Sequence, residues 1–358
     1  MAKLARLDLY RLAVPLTTPY RLSFTELKCF DTVMVRVEDG DGRSGWGEAT
    51  LLTGYTQESV EQSFKLAGET ANALLGLALE EAKTRVSNLD TRAPFTATAL
   101  YTAIEMLQDD ALLQTNGNAR VPLLALLHGE TPDALAVEIE DALSKGYDTF
   151  KVKVGFDADK DLERVATIQT VVAGRARIRI DANQGFEEND ACRFAAALNP
   201  DGIELLEQTC AAGDWQAAKA VAAVSTVPLM LDESIYTLAD VDRAAELGCA
   251  SFIKFKLMKA GGLSKLAAAL AHIRALGMTP VLGNGVACDL GCWMEACVAA
   301  RVIDNAGEMN GFLKTSQSLF CEPLEVDKGA VVVPQGYSPE IDEQAIERFA
   351  VDRLALGA

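Results

Sequence analysis

Three carboxylates and two pairs of lysines stand where short apolar runs end. The runs close on Lys151-Val152-Lys153, Ile178-Arg179-Ile180-Asp181, Ile203-Glu204-Leu205-Leu206-Glu207, Val227-Pro228-Leu229-Met230-Leu231-Asp232 and Phe252-Ile253-Lys254-Phe255-Lys256. Asp181, Glu207 and Asp232 would form one wall of anions. Crowded in a low-dielectric pocket they repel, and they shift toward protonation unless a cation neutralises them. All-oxygen donors that leave room for water and substrate suit Mg²⁺, or Mn²⁺, better than zinc. Residues two apart in a strand point to one face, so Lys151 and Lys153 point together, as do Lys254 and Lys256. A carboxylate held on the metal between the two pairs would have one amine on each face of its α-carbon, which suits taking a proton from one face and returning it on the other. Burial, a second lysine and a nearby dication lower a lysine toward a pKa of about 7 to 8, where it serves as a base. The metal would stabilise the enediolate formed when the α-proton leaves. The plainer alternative is that the lysines only hold salt bridges to the carboxylates.

These residues need a scaffold that repeats. The steps from Lys153 to Asp181, Glu207, Asp232 and Lys256 are 28, 26, 25 and 24 residues, the size of one strand-loop-helix-loop unit copied along a chain. Helical stretches lie between, with stop and start signals. Gly146, Gly248 and Gly277 follow amphipathic runs, Thr131-Pro132 gives a cap and a first-turn proline, and Thr237 with Asp240 has the form of a capping box. Parallel strands joined by crossover helices, about eight units in about 200 residues, predict an α/β fold of the closed (β/α) TIM-barrel type. Strands are expected near 123–127, 149–154, 176–181, 203–207, 227–232, 252–257, 279–282 and 305–308. In such a barrel the site forms at the carboxyl ends of the strands, where these ionisable residues stand.

Residues 1–120 lack the repeat. Two alternating strands and an Asp39-Gly40-Asp41-Gly42 turn, followed by helical segments, predict an α+β capping domain. Residues 121–322 would be the barrel, and 323–358 a C-terminal segment that returns to the capping domain, with a Lys328-Gly329 turn, a strand at 330–333 and a helix near 344–349.

Composition narrows the partners. The chain has 358 residues, 49% hydrophobic, with a net charge of -18, which argues against nucleic acid and anionic membrane, since both need a basic face. No apolar run reaches the 18 or so residues of a membrane span, so a cytoplasmic location is expected. Eight cysteines without CxxC pairing indicate neither a zinc site nor a disulfide framework. Of only two histidines, His272 lies among alanines in a helix and His128 follows the first barrel strand, where it could reach the pocket rim.

The order of Lys-x-Lys, Asp181-Ala182-Asn183-Gln184-Gly185, Glu207-Gln208, Asp232-Glu233-Ser234 and the Lys256-to-Gly262 run Lys-Leu-Met-Lys-Ala-Gly-Gly resembles the enolase superfamily, specifically its muconate lactonizing enzyme subgroup, over nearly the whole chain. That resemblance implies Asp181, Glu207 and Asp232 as metal ligands, Lys153 and Lys256 as the acid/base pair, and Lys151 as an electrostatic partner of the substrate carboxylate; Mg²⁺ with a Lys or His base is that superfamily's general scheme. A mandelate racemase-like member would carry a histidine after the seventh strand, and here that position reads Gly283-Asn284-Gly285. Two details depart from the usual pattern: Thr209 stands where proline is common, and Gly283-Asn284-Gly285-Val286 has no acidic residue.

Glu308-Met309-Asn310 falls where dipeptide epimerases of the subgroup carry an Asp-x-Asp that holds a substrate ammonium. Glu308 and Asn310 are therefore expected to bind a cationic amine, with rim capping as the alternative. Tyr20 and Phe24, and Tyr55, sit where the family uses two mobile loops over the substrate; interdomain packing is the other account of these aromatics. The function expected is a Mg²⁺-dependent isomerase that abstracts the α-proton of a small carboxylate, a racemase or epimerase of an amino acid or its derivative. Cycloisomerisation and dehydration share the first intermediate, and a non-catalytic carboxylate-binding barrel is the alternative of a different class. Analogy with the family also implies a homo-oligomer.

Overall fold

The computed structural model describes residues 2–21, 26–52, 54–115 and 117–357. Three antiparallel strands open the chain, β1 (Leu4–Arg21), β2 (Glu26–Asp39) and β3 (Ser44–Leu51), with a tight turn in which the Asp39 carboxylate accepts from the amides of Asp41 and Arg43. Three helices follow, α1 (Val60–Leu74), α2 (Leu79–Val86) and α3 (Pro94–Leu107). The buried faces of sheet and helices, among them Leu7, Val33, Val35, Ala67, Phe95 and Leu100, make a core of their own.

Past β4 (Ala119–Pro122) and β5 (Ala125–Leu127) strands and helices alternate. They run α4 (Pro132–Ser144), β6 (Thr149–Lys153), α5 (Ala158–Val172), β7 (Arg177–Asp181), α6 (Glu188–Ala197), β8 (Ile203–Glu207), α7 (Trp215–Val224), β9 (Leu229–Leu231), α8 (Leu238–Leu247), β10 (Phe252–Phe255), α9 (Leu257–Ala260), α10 (Leu263–Ala275), β11 (Thr279–Leu282) and α11 (Asp289–Val302). Strands β5 to β11 lie in chain order in one parallel, seven-stranded sheet. The local signals hold: Thr131 caps α4 through the Ala134 amide, Thr237 and Asp240 form a capping box on α8, and Gly146, Gly248 and Gly277 have φ of 84°, 60° and 81°.

Two segments differ from the sequence-based expectation. The run expected as one strand at 123–127 divides, because β4 pairs with β13 (Ala330–Val333), itself paired with β12 (Val326–Asp327), and only β5 joins the barrel. Residues 305–308 form no regular strand, yet they close the ring. The Glu308 amide donates to Leu282 O at 3.0 Å on one side, and Gly307 donates to Pro122 O at 2.8 Å and accepts from Leu124 at 3.2 Å on the other. After α12 (Glu343–Phe349) the chain ends in β14 (Ala350–Gly357), antiparallel to β1. Its side chains are mostly exposed, so it has no buried alternation to give it away in the sequence; the hydrogen-bond ladder to β1 holds it.

The sheet register sets the site. Lys153 is the direct cross-strand partner of Asp181, and Asp181 of Glu207. Deeper in the barrel Leu205, Met230 and Val281 pack with Phe252 and floor the polar layer with apolar side chains.

Candidate active site

The ionisable residues named from the sequence gather at the strand ends. Lys151, Lys153, Asp181, Asp232, Lys254, Lys256 and Glu308 line one small cavity of about 60 Å³. Glu207, fully buried, pairs with two of these lysines, Lys151 and Lys254. Three strand ends separate the outer members. Lys153 closes β6, Asp181 and Glu207 close β7 and β8, Asp232 follows β9, and Lys256 follows β10. The two lysines thus stand on either flank of the carboxylates, each bonded to the nearest one: Lys153 Nζ donates to Asp181 Oδ2 at 2.6 Å and Lys256 Nζ to Asp232 Oδ2 at 2.8 Å.

The wall is not bare anions, as expected from the sequence, but anions interleaved with ammonium groups. Lys151 Nζ lies 2.7 Å from Asp181, 2.6 Å from Glu207 and 2.9 Å from Glu308. Lys254 Nζ lies 2.9 Å from Glu207 and 2.7 Å from Glu308. Buried like charges cannot be left together, so opposite ones alternate. Among the described residues no three His, Cys, Asp or Glu side chains form a ready-made cation site.

Does the donor set nevertheless fit a hard divalent cation? The three carboxylates sit on consecutive strand ends and all donors are oxygen, the chemistry Mg²⁺ requires. Glu207 Oε2, although 2.6 Å from the Lys151 ammonium, is buried without a properly directed hydrogen bond. A second orphaned oxygen, Glu233 Oε2, faces the cavity. Buried carboxylate oxygens without a directed hydrogen-bond donor, on adjacent strand ends, fit the group.

Electrostatics follow from this packing. Burial alone would raise Asp181, but Lys151 and Lys153 outweigh it and hold that carboxyl well below the usual range; the same balance, through Lys256, Lys259 and Lys254, depresses Asp232. Burial and the nearby Asp181 raise Glu207, and burial with Asp232 pushes Glu233 up to about 7. For Lys153 the expected lowering is reversed. Burial pulls its ammonium down, but the Asp181 charge more than offsets this and raises it.

Several expected substrate contacts have other partners. Lys151, proposed for the substrate carboxylate, is 2% exposed and bonded to three of the protein's own carboxylates. Glu308, expected to hold a substrate amine, is already shared by Lys151 and Lys254, which hold its carboxyl far below the usual range against the opposing effect of burial. Asn310 accepts from Lys314 at 2.9 Å. Tyr55 donates its hydroxyl to Asp232 Oδ1 at 2.9 Å and accepts from Lys256 at 2.7 Å, so it belongs to the lysine's surroundings. Tyr20 carries the Lys314 ammonium 5.0 Å above its ring. Phe24 lies outside the described residues. His128 is exposed at the mouth, 3.2 Å from Glu138.

Residues not singled out from the sequence orient those that were. Asn183, at a left-handed φ of 44°, accepts from Lys153 in a short contact and donates to Glu233 Oε1 at 3.0 Å. Gln208, at φ 36°, accepts from the amides of Asp232 and Ser234 with one carboxamide oxygen, which ties the end of β8 to that of β9. Lys259, fully buried, donates to Asp232 O at 2.9 Å and Ile235 O at 2.7 Å. Strain concentrated beside a site is a mark of function. The positions two after Asp181, one after Glu207 and three after Lys256 were a signal in the sequence, but only the fold shows what they bond.

Against known proteins, the profile of the enolase C-terminal domain-like family matches residues 134–345. The chain is 30% identical over 317 residues to the L-Ala-D/L-Glu epimerase of Bacillus subtilis, covering 83% of this chain and 85% of that one. It is 26% identical to the N-succinyl-L-Arg/Lys racemase of Bacillus cereus over 98% of each. The solved muconate lactonizing enzyme of Pseudomonas putida superposes with a TM-score of 0.86 at 24% identity, over 97% of this chain and 99% of that one, a likeness of fold. With strand ends, lysine flanks and relatives in agreement, the chain belongs to the enolase C-terminal domain-like family and is an enzyme of the enolase superfamily, in its muconate lactonizing enzyme branch.

Proposed function

We propose that the protein racemises or epimerises an N-substituted amino acid, with Lys153 and Lys256 as the proton-transferring pair and Asp181, Glu207 and Asp232 as the ligands of Mg²⁺, or Mn²⁺. The observation that carries this is the placement of one lysine at each flank of three consecutive strand-end carboxylates. When bound, the dication supplies charge stabilisation to a carboxylate whose α-proton is leaving. The lysines do the rest. One, in its neutral form, accepts the α-proton while the other, as an ammonium, donates to the opposite face. Paired with Asp181, Lys153 is held protonated and acts as the donor; it becomes a base when that carboxylate is engaged elsewhere. Asn183 and Tyr55 aim the two ammonium groups.

The state of Glu308 supports acylation of the substrate nitrogen. A free α-ammonium needs an unclaimed anion nearby, and Glu308 is spoken for by two lysines. The relatives named above act, by their names, on a dipeptide and on an N-succinyl amino acid, in both of which a nitrogen is acylated.

The test is loss of the α-proton NMR signal in D₂O from N-acyl amino acids, dipeptides and free amino acids, with Mg²⁺ and again after chelation. Exchange of N-acylated compounds that stops on chelation is expected. Free amino acids should exchange at least about tenfold more slowly, as a missing charge partner in a buried site costs more than 1.4 kcal/mol. A complete absence of exchange in the whole set sinks the reading.

A further inference from the structure

The two lysines that flank the carboxylates are anchored differently. Lys153 ends β6 inside the ladder: Asp181 is its cross-strand partner, and the amide that follows it, Val154 N, donates to Asp181 O at 2.9 Å. Lys256 stands just past the end of β10, whose register with β11 stops at Phe255. The amide that follows it belongs to no ladder. Leu257 N donates instead to Glu295 Oε1 at 2.9 Å, a side chain of α11 that lies 38 residues further along the chain. The Leu257 carbonyl in turn accepts from Thr98 Oγ1, on α3 of the cap, at 3.2 Å. Side chains from two remote helices thus hold both backbone polar groups of the residue after Lys256.

Glu295 is a costly residue to keep in this place. It is 2% exposed, and its Oε2 is buried without a hydrogen-bond partner. With a second buried acid, Glu48, it lines an internal cavity of about 20 Å³ that shares Thr50, Met258 and Asn284 with the catalytic one. Burial pushes the Glu295 carboxyl up to about 7, although the Leu257 amide and the Lys256 charge favour its anion. An apolar side chain of the same size would avoid the desolvation cost, but it would leave the Leu257 amide buried and unpaired. The acid and the anion both accept at Oε1, so holding that amide requires an acceptor and not a charge.

We propose that Glu295, helped by Thr98, is a positioning residue for Lys256: it fixes the backbone from which that lysine's side chain extends and so aims one of the two proton-transferring amines, leaving the other to the sheet. This rests on the racemase reading of the inner cavity and adds to it the group that sets the aim of the second lysine.

The L and D enantiomers of N-acetyl-alanine and of N-succinyl-alanine, each followed separately by α-proton exchange in D₂O, provide the test. Lys256→Ala identifies the enantiomer whose proton Lys256 removes. Glu295→Leu keeps the bulk and deletes the acceptor. It should slow exchange of that same enantiomer by about 10- to 100-fold, mainly in kcat, the effect of misaiming a reacting group, while the other enantiomer stays within about threefold of wild type. Glu295→Gln, whose carboxamide oxygen can accept from Leu257, should restore most of the lost rate. If Glu295→Leu does not fold, as judged by circular dichroism, Thr98→Val takes its place, with a loss of about threefold expected, again for the Lys256 enantiomer alone. Equal slowing of both enantiomers in a folded variant, or no slowing of either, overturns the inference, and so does a Glu295→Gln enzyme as impaired as Glu295→Leu. All three of those outcomes leave the racemase reading standing, whereas a wild type that exchanges neither compound removes the racemase reading itself.

Discussion

Lys153 and Lys256 are held by mirror-like sets: a carboxylate oxygen each, from Asp181 and Asp232, and one neutral aiming group each, from Asn183 and Tyr55. If they serve opposite faces of one carbon, each removes the proton of one enantiomer. Lys153→Ala and Lys256→Ala should therefore both lose racemisation by roughly 10²- to 10⁴-fold, the usual worth of a general acid or base. Each should still exchange the α-proton of a single enantiomer, and not the same one. Chiral chromatography with deuterium counting reads this directly, and a variant that exchanges both enantiomers contradicts the assignment. Tyr55→Phe should lower kcat about tenfold with the fold intact, because it removes the contact to Lys256 and that to Asp232 together.

At the scale of elements, the turn after β6 carries the tightest constraint on the site. Gly155 sits two residues beyond Lys153 at φ 98°, and a Cβ there would stand 2.5 Å from the Ala182 carbonyl oxygen. The amides of Gly155, Phe156 and Asp157 all donate to Asp161 Oδ2, so the turn cannot move away cheaply. Gly155→Ala should cost about 2 kcal/mol or more of stability by urea titration. It should also lower activity, because the loop it presses on contains Asn183. A neutral substitution would mean that the turn is softer than its hydrogen bonds imply. Strand ends and helix caps of this kind were legible in the sequence because they are local. Lys-x-Lys, the strand-end acids, Thr131 and the Thr237-Asp240 pair need only neighbours in the chain. Residues 305–308 were read as a barrel strand, but that they close the ring without a regular strand, through backbone bonds to Leu282, Pro122 and Leu124, depends on residues remote in sequence. β14 escaped for a similar reason, since its ladder partner is some 345 residues away in β1.

At the scale of the molecule, capping sheet and barrel are locked by a buried acid. Glu48, on β3, accepts from the amides of Cys288 and Gly291 at the start of α11, at 2.6 and 3.0 Å. Burial pushes this carboxyl up to about 7 from an ordinary 4.5. A folded-state value above the unfolded one means that the folded protein binds the extra proton, so the contribution of Glu48 is full below pH 4.5 and is lost as pH rises to 7. Relative to wild type, Glu48→Gln should therefore be more damaging at pH 5 than at pH 8, by roughly 3 kcal/mol in unfolding free energy. An equal penalty at both would show that Glu48 is ionised throughout.

The sequence by itself determined the alternation of strands and helices, the acids and lysines at the strand ends, and hence the family, because each depends on periodicity or on residues a few positions apart. Only the tertiary structure decided how those charges share one another. It paired Glu308 with Lys151 and Lys254, left Lys314 without a carboxylate partner among the described residues, and bound Tyr55 to Lys256 across the boundary between cap and barrel. Coulomb energy in a low-dielectric interior depends on separations of a few ångströms, and residues such as Lys151 and Glu308, 157 positions apart in the chain, acquire theirs only when the ring closes.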